Sequence, residues 1–310
     1  MLSRNDIAAI VVWFNPNEYF SQNVRTYSKN FKKVFIIDNS ESDNCELARN
    51  VENSVYIANK ANLGIAAALN IGCQKAKEAG FSWVLTMDQD TKWNENQLEQ
   101  FIEQCISMTS EDDRVKSFAP CFEVERKIHH SFLGICKRKL YTFVTKKQYK
   151  EKFNPDSGYV DRVISSGNMI ELATWQKIGK FNESLFIDEV DHDFCYRLRE
   201  ADYKIFKFRL IEIDHQTLDE DKKTFFPEWF RDSSKGNSMR LFYIFRNRMF
   251  VIKRHPNFAD EYHERKKLFK LIISKCIFNK QAVKNTKILI RAHKDYKEKL
   301  LPSIPKKTNI

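Results

Sequence analysis

Glycine and proline are scarce, at 8 and 7 of 310 residues. That excludes collagen-like and low-complexity chains, and 42% hydrophobic residues exclude a wholly disordered one. No apolar run approaches the roughly 20 residues that a transmembrane helix needs. The opening residues, MLSRNDIAAIVVWF, show no signal-peptide pattern, which implies a cytoplasmic protein. The seven cysteines form no CxxC pair and no regular spacing, so neither a disulfide frame nor a zinc site is expected. GxGxxG, the P-loop lysine motif, HExxH and GxSxG are all missing. The Rossmann dehydrogenase, P-loop kinase, zincin and hydrolase readings thereby lose their usual anchors.

What the chain does have is charge, unevenly placed. The net charge is +11, yet residues 235–310 hold 20 basic and 5 acidic side chains, leaving 32 basic against 36 acidic elsewhere. A mildly acidic body therefore carries a strongly basic tail, suited to nucleic acid, an anionic membrane surface or polyphosphate. Aromatic residues reach 13%, with 25 Phe.

Short apolar runs at 7–14, 34–38, 54–58 and 83–87 read as buried strands, separated by helical stretches that include 65–79 and 94–108. This alternation predicts an α/β fold with a mostly parallel sheet flanked by helices. Further strands are expected at 115–122, 140–145 and around 161–172, with a helix and a strand between 181 and 215. Basic helices follow over 238–255 and 260–300. Ligands of such sheets bind beyond the carboxyl ends of the strands, where Asp38, Asp88 and Asp90 fall.

Asp88-Gln89-Asp90 is a DxD. Two carboxylates on a tight turn can hold a divalent cation that bridges a diphosphate, whereas a helix cap is the structural alternative for Asp90. Spacing alone is weak evidence, because Asp191-His192-Asp193 and Asp219-Glu220-Asp221 share it. The acidic run Asp188-Glu189-Val190-Asp191-His192-Asp193 either complements a helix N-terminus or supplies a general base for a hydroxyl acceptor, with Asp191 as that base. Asp193 is placed to pair with Arg197 one turn on. His215, after the strand 210–214, is either a structural residue or a metal ligand.

The motifs gain specificity from their order. They run from Asn15-Pro16 through Asp38-Asn39-Ser40, Asn62-Leu63-Gly64 to Asn70, and Asp88-Gln89-Asp90. Ser165-Ser166-Gly167-Asn168, the stretch 178–188, Asp191 to Arg197 and Phe245-Arg246-Asn247-Arg248 follow. This set, over about residues 7–255, resembles glycosyltransferase family 2 with the GT-A fold, and within it the bacterial rhamnosyltransferase group.

The resemblance implies an inverting, metal-dependent transfer of a sugar, L-rhamnose from dTDP-rhamnose, to a saccharide acceptor on a polyprenyl lipid in cell-surface polysaccharide synthesis. UDP-hexose and UDP-galactofuranose are the alternative donors. Asn15, Asp38 and Asn39 are expected at the donor, Asp38 on its base. Asn62, Gly64 and Asn70 shape the nucleotide pocket, Gly64 because a Cβ would crowd the ligand. Asp88 faces the ribose and diphosphate, and Asp90 binds Mg2+ or Mn2+ with Asp88 and His215 beside it. Ser166 and Gly167 line the donor–acceptor junction, and Asp191 is the base. Glu189 departs from the family, whose members often have an aromatic residue for acceptor stacking there.

The expected division is a catalytic domain at 1–230, with a nucleotide-sugar half to about 110 and an acceptor half beyond. A basic helical region follows at 231–310. Leu268, Phe269, Leu271, Ile272, Ile273, Ile277 and Phe278 lie among lysines and arginines there. They suggest peripheral contact with the anionic inner face of the cell membrane, the alternative being docking of that helix on the catalytic domain. Assembly is open, with a homodimer allowed. A nucleic-acid-binding protein built on the basic tail with Tyr243, Phe245 and Phe250 is the competing class, but acidic strand ends would repel phosphate unless a metal intervened.

Overall fold

A computed structural model describes residues 2–122, 158–215, 238–259, 261–277 and 281–303. The strand expected at 140–145, Asp219-Glu220-Asp221 and Phe278 lie outside the described residues, as does the side chain of His215. Strand β1 (Ile7–Trp13) is buried at all seven positions, as its unbroken apolar run requires of a strand covered on both faces. β2 (Val34–Asp38), β3 (Ser54–Ala58) and β4 (Trp83–Asp88) join it in parallel, in the order β3-β2-β1-β4. Between these strands run α1 (Glu18–Arg25), α2 (Cys45–Ala48) and α3 (Ile65–Glu78).

Beyond β4 the sheet changes character. The short β5 (Thr91–Lys92) precedes α4 (Glu95–Glu111), which Asn94 caps by accepting from the amides of Asn96 and Gln97. Then come β6 (Val115–Phe122), β7 (Tyr159–Val160) and β8 (Asn168–Glu171). β8 inserts antiparallel between β4 and β6. The long β9 (Lys204–His215) runs parallel to β6 with register shifts, and its far end turns to pair antiparallel with β5, setting the His215 backbone opposite Thr91. The expected parallel sheet is thus realised over β3-β2-β1-β4 and is mixed elsewhere. Residues 161–167, expected to extend a strand pair, form an irregular connection instead.

Alternation along β1 sorts the core onto two faces. Ala8, Ile10 and Val12 join a cluster with Ile37, Leu69 and Trp175, while Ile7, Val11 and Trp13 join one with Ile36, Phe101 and Phe118. The helices α5 (Leu172–Lys177), α6 (Val190–Glu200), α7 (Ser238–Arg254), α8 (Glu261–Cys276) and α9 (Ala282–Asp295) complete the described elements. A third cluster joins the last three helices through Leu241, Phe245, Ile252, Leu268, Leu289 and Ala292. The basic region is not a loose appendage, because Phe250, Val251, Tyr296 and Leu300 enter the same cluster as Ile10 and Trp175.

Candidate active site

Parallel pairing aligns the carboxyl ends of three strands. Asp38 lies opposite Trp13, and Asp88 lies opposite Val12, so both acids stand at one edge of the sheet. The turn between them and Asp90 is tied down by Gln89. Its side chain accepts from the Phe14 amide at 2.8 Å, and its carbonyl accepts from buried Asn23 at 3.0 Å. Ser166 closes the site from the mixed half: its hydroxyl accepts from the Asp88 amide at 3.3 Å and lies 2.7 Å from the Thr91 hydroxyl. Gly167, at φ 75°, donates its amide to the Thr86 carbonyl at 2.8 Å. Asp88, Asp90, Ser166 and Gly167 are therefore brought together as the sequence order suggests.

Several donor-side residues have a different occupation from the one expected. Asp38 is fully buried, and its carboxylate accepts four hydrogen bonds: from the Ser40 amide and hydroxyl, Asn44 and the Tyr56 hydroxyl, at 2.5–2.9 Å. With no accessible surface and its lone pairs engaged, it holds the 40–44 loop in place. Asn15, at φ 48°, is exposed and donates its amide to Ser40 on the same loop. Asn39 donates to the Gly64 carbonyl at 2.9 Å and accepts from Asn59. Asn62 is exposed and folds back to accept from the Gly64 amide. Asn70 is buried. Its amide donates to the Phe181 carbonyl and Glu183, and its oxygen accepts from Trp175 and the Phe181 amide, stitching α3 to the 175–183 stretch.

Gly64 needs its missing side chain for a reason other than ligand access. At φ 83° and ψ 163° it adopts backbone open essentially to glycine alone, and a Cβ would stand 2.6 Å from both the ring and the carbonyl oxygen of Phe186. That carbonyl accepts from the Ile65 amide at 2.7 Å, so it caps the N-terminus of α3, which has no side-chain cap.

Phe186 itself, at φ 64° and ψ −65°, is the centre of a γ-turn closed by the Ile187 amide on the Leu185 carbonyl at 2.7 Å. Asp188 and Glu189 follow at φ 61° and 65°. Three left-handed, non-glycine residues in four cost on the order of 1–3 kcal/mol each. They lead directly into α6, whose first turn carries Asp191.

Asp191 is partly exposed, and one of its oxygens accepts from the His192 amide at 2.8 Å. Its neighbours are committed elsewhere. Asp193 is buried between Arg197, at 2.8–2.9 Å, and His255, at 3.0 Å. Burial pushes its carboxyl up, but the His255 hydrogen bond and the Arg197 charge outweigh that and hold it below the usual range. The expected i,i+4 pair with Arg197 is present. Glu189 meets His192 at 2.9 Å and Arg248 at 2.8 Å. Burial opposes its ionisation, yet the His192 hydrogen bond and charge and the Arg248 guanidinium bring it down to about 2. An ion pair thus stands where an aromatic acceptor platform is common in the family. Asp188 is raised instead, by burial, against the opposing charge of Arg240 at 3.4 Å.

Sequence reasoning named the Phe245–Arg248 motif without a role. In the structure its Arg246 and Asn247 are buried and donate to the carbonyls of the 184–188 stretch. A polar Arg–Asn pair on an otherwise apolar helix face was the only available signal. The aromatic residues of the nucleic-acid alternative are likewise spent: Phe245 and Phe250 are buried, and Tyr243 stacks on Phe186 at 4.8 Å.

Residues 9–161 match the model of glycosyl transferase family 2. The chain carries a family 2 glycosyltransferase domain. It is 28% identical over 198 residues to dTDP-rhamnosyl transferase RfbF of Shigella flexneri, which covers 62% of this chain and 63% of that protein's length. Among solved structures, the mannosyltransferase PcManGT from Pyrobaculum calidifontis, in complex with GDP-Man and Mn2+, superposes with a TM-score of 0.55. It is 12% identical, over 93% of this chain and 75% of that one. GalNAc-T7 with UDP, GalNAc and Mn2+ gives a TM-score of 0.54 at 11% identity, over 95% of this chain and 57% of the other. The fold of this chain is accordingly GT-A, a central sheet flanked by helices.

Proposed function

We propose that this glycosyltransferase transfers L-rhamnose from dTDP-rhamnose, with inversion, to a hydroxyl of a lipid-linked saccharide. The observation that carries the reading is a pair of carboxylates at the carboxyl end of a parallel strand and a separate carboxylate on a helix first turn, in a chain similar to a dTDP-rhamnosyl transferase. Asp88 and Asp90 stand at the end of β4, and Asp191 stands on the first turn of α6. In the reaction the acceptor oxygen forms a bond to the anomeric carbon as the bond from that carbon to the β-phosphate oxygen breaks. The hydroxyl proton passes to Asp191, whose oxygen toward the His192 amide stays hydrogen-bonded throughout. The nucleoside diphosphate leaves with both bonding electrons.

The donor set at the strand end fits a hard divalent cation. Asp88 and Asp90 offer oxygen ligands; His215, whose side chain lies outside the described residues, would stand beside them, and diphosphate oxygens and water would supply the remaining ligands. Mg2+ or Mn2+ bound there would supply positive charge to the departing diphosphate. The chain's own part is to fix the two carboxylates, through Gln89 and Ser166, and to keep the 40–44 loop rigid beside the nucleotide.

Among the described residues no helix is long and apolar enough to cross a membrane. Of the apolar positions in the basic tail, Leu268, Leu271 and Ile272 pack against α7 and α9, which corrects the expectation that this whole face meets lipid. Tyr262, Phe269 and Ile277 remain 62–73% exposed along α8 and its end, as do Val283 and Ile290 on α9. With Lys266, Lys270, Lys287 and Lys294 beside them, these positions form the surface we assign to an anionic leaflet that presents the acceptor.

A thermal-shift panel of nucleotide sugars, with and without Mn2+, tests the donor. Ligand at 100 times its Kd adds about 2.7 kcal/mol of stability, so dTDP-rhamnose must raise Tm above UDP- and GDP-sugars at equal concentration. Equal shifts for all three nucleotides, or none, would refute the rhamnose reading.

A further inference from the structure

We propose that Arg246 and Asn247 of α7 are positioning residues for Asp191, acting by holding the left-handed 186–189 turn from which α6 starts. This rests on Asp191 being the base, but the clamp itself is an observation about backbone. Asn247 is fully buried, and its side-chain nitrogen lies 2.7 Å from the Leu185 carbonyl, 2.7 Å from that of Ile187 and 2.9 Å from that of Asp188. One amide thus spans the γ-turn and the first left-handed residue after it. Its own oxygen accepts from Arg246 Nε at 2.9 Å, which fixes the amide so that its hydrogens face the carbonyls.

Every nitrogen of Arg246 is used in the same cause. Its two terminal nitrogens donate to the Ser184 carbonyl at 2.6 Å and to Asp295, at the end of α9, at 2.9 Å. A planar guanidinium can satisfy these directions together, and an ammonium cannot.

The need for such a device follows from the turn. Phe186, Asp188 and Glu189 hold backbone conformations that L-residues avoid, and no glycine relieves them. Conformations of that kind persist only when the surroundings over-determine them. Two sets of outside contacts hold the backbone of the stretch: the Phe186 carbonyl on the α3 amides, and the α7 side chains on the carbonyls to either side of it, while Tyr243, Arg240 and Arg248 meet its side chains. Releasing the second lets residues 187–189 relax toward right-handed or extended backbone. That swings the entry of α6, and a displacement of about 1 Å at a reacting group can cost about 100-fold in rate.

The test compares Asn247→Ala and Arg246→Lys with Val51→Ala, a buried truncation in the opposite core cluster. The expected signature for the first two is amide exchange over 186–193 at least 10-fold faster with β1, β2 and β4 unchanged. Turnover should fall 10- to 100-fold while donor KM stays within about 2-fold. Val51→Ala, matched for loss of Tm, should keep its turnover. Turnover within 2-fold of wild type in Asn247→Ala, or an equal fall in Val51→Ala, overturns the proposal.

Hydrogen exchange on the unmodified chain at low denaturant reads the clamp without substrate, and serves if either variant fails to fold. Residues 186–189 must open together with α7, and opening while α7 stays protected overturns the clamp. Should the clamp signature hold while Asp191→Asn turns over normally, the base assignment fails and the clamp stands.

Discussion

Replacing Gly64 by alanine separates two explanations for a residue that both sequence and structure single out. If the nucleotide needed the space, Gly64→Ala would weaken donor binding and leave the fold alone. In the structure the space belongs to Phe186, whose ring and carbonyl oxygen lie 2.6 Å from the new Cβ. The backbone at φ 83° and ψ 163° adds about 1–3 kcal/mol of strain for any L side chain. The overlap adds about 1–3 kcal/mol as overpacking, since the atom in the way is a backbone oxygen held by the Ile65 amide and cannot rotate aside. The expected loss is therefore about 2–6 kcal/mol, or roughly 3–9 °C in Tm for a chain of this size. Urea denaturation followed by tryptophan fluorescence reads it directly. A loss below about 0.5 kcal/mol, with donor affinity reduced 10-fold or more, would refute the contact and restore the ligand-crowding account.

Asp90→Ala is expected to abolish the Mn2+-dependent part of nucleoside diphosphate binding, measured by isothermal titration. A mere helix cap would cost ~1 kcal/mol of stability and leave binding normal. Asp191→Asn should keep donor affinity and lose 10²–10⁴-fold in transfer, whereas Asp193→Asn should lower Tm first, because it leaves half-buried Arg197 and buried His255 poorly paired. The Glu189 carboxyl, held at about 2 against 4.5 unperturbed, contributes stability that is complete above about pH 4.5 and drains away as pH falls toward 2. That amounts to about 3 kcal/mol, and urea midpoints between pH 5 and 3 should fall less steeply in Glu189→Gln than in wild type. Changing Lys266, Lys270, Lys287 and Lys294 to Glu should release the protein from anionic liposomes without altering donor binding, and undiminished co-sedimentation would rule out that surface. Truncation after Pro256 is a poorer probe. It removes Tyr296 and Leu300 from the main core and Asp295 from Arg246, and so should destabilise the whole chain.

The parts of this fold visible in sequence are those set by neighbours along the chain. Unbroken apolar runs located β1 to β4 within a residue or so, and the one-turn spacing of Asp193 and Arg197 located their pair. Strand ends then pointed to Asp88 and Asp90, because a parallel sheet presents its carboxyl edge to ligand. What escaped is set by partners far away in sequence. The four bonds on Asp38 come from three residues on a loop and a strand, and any of those residues read singly is an ordinary surface polar group. The space around Gly64 depends on Phe186, more than 100 residues on, and the role of Asn70 depends on Trp175 and Phe181. The basic tail was ambiguous for the same reason: a stripe of Leu and Ile among lysines looks alike whether it faces lipid or another helix.

The junction at Gly64 and Phe186 also governs how this chain can be recombined with its relatives. A chimera that takes the residues before β6 from one protein and the rest from another is naturally cut near residue 112, between α4 and β6, where the chain crosses on the surface. That cut would separate Gly64 from the carbonyl that caps α3, and Asn70 from the loop and tryptophan it ties together. Grafts that keep the fold must therefore move residues 62–70, 175–189 and 243–248 as one block, although they are scattered over nearly 190 positions of the sequence.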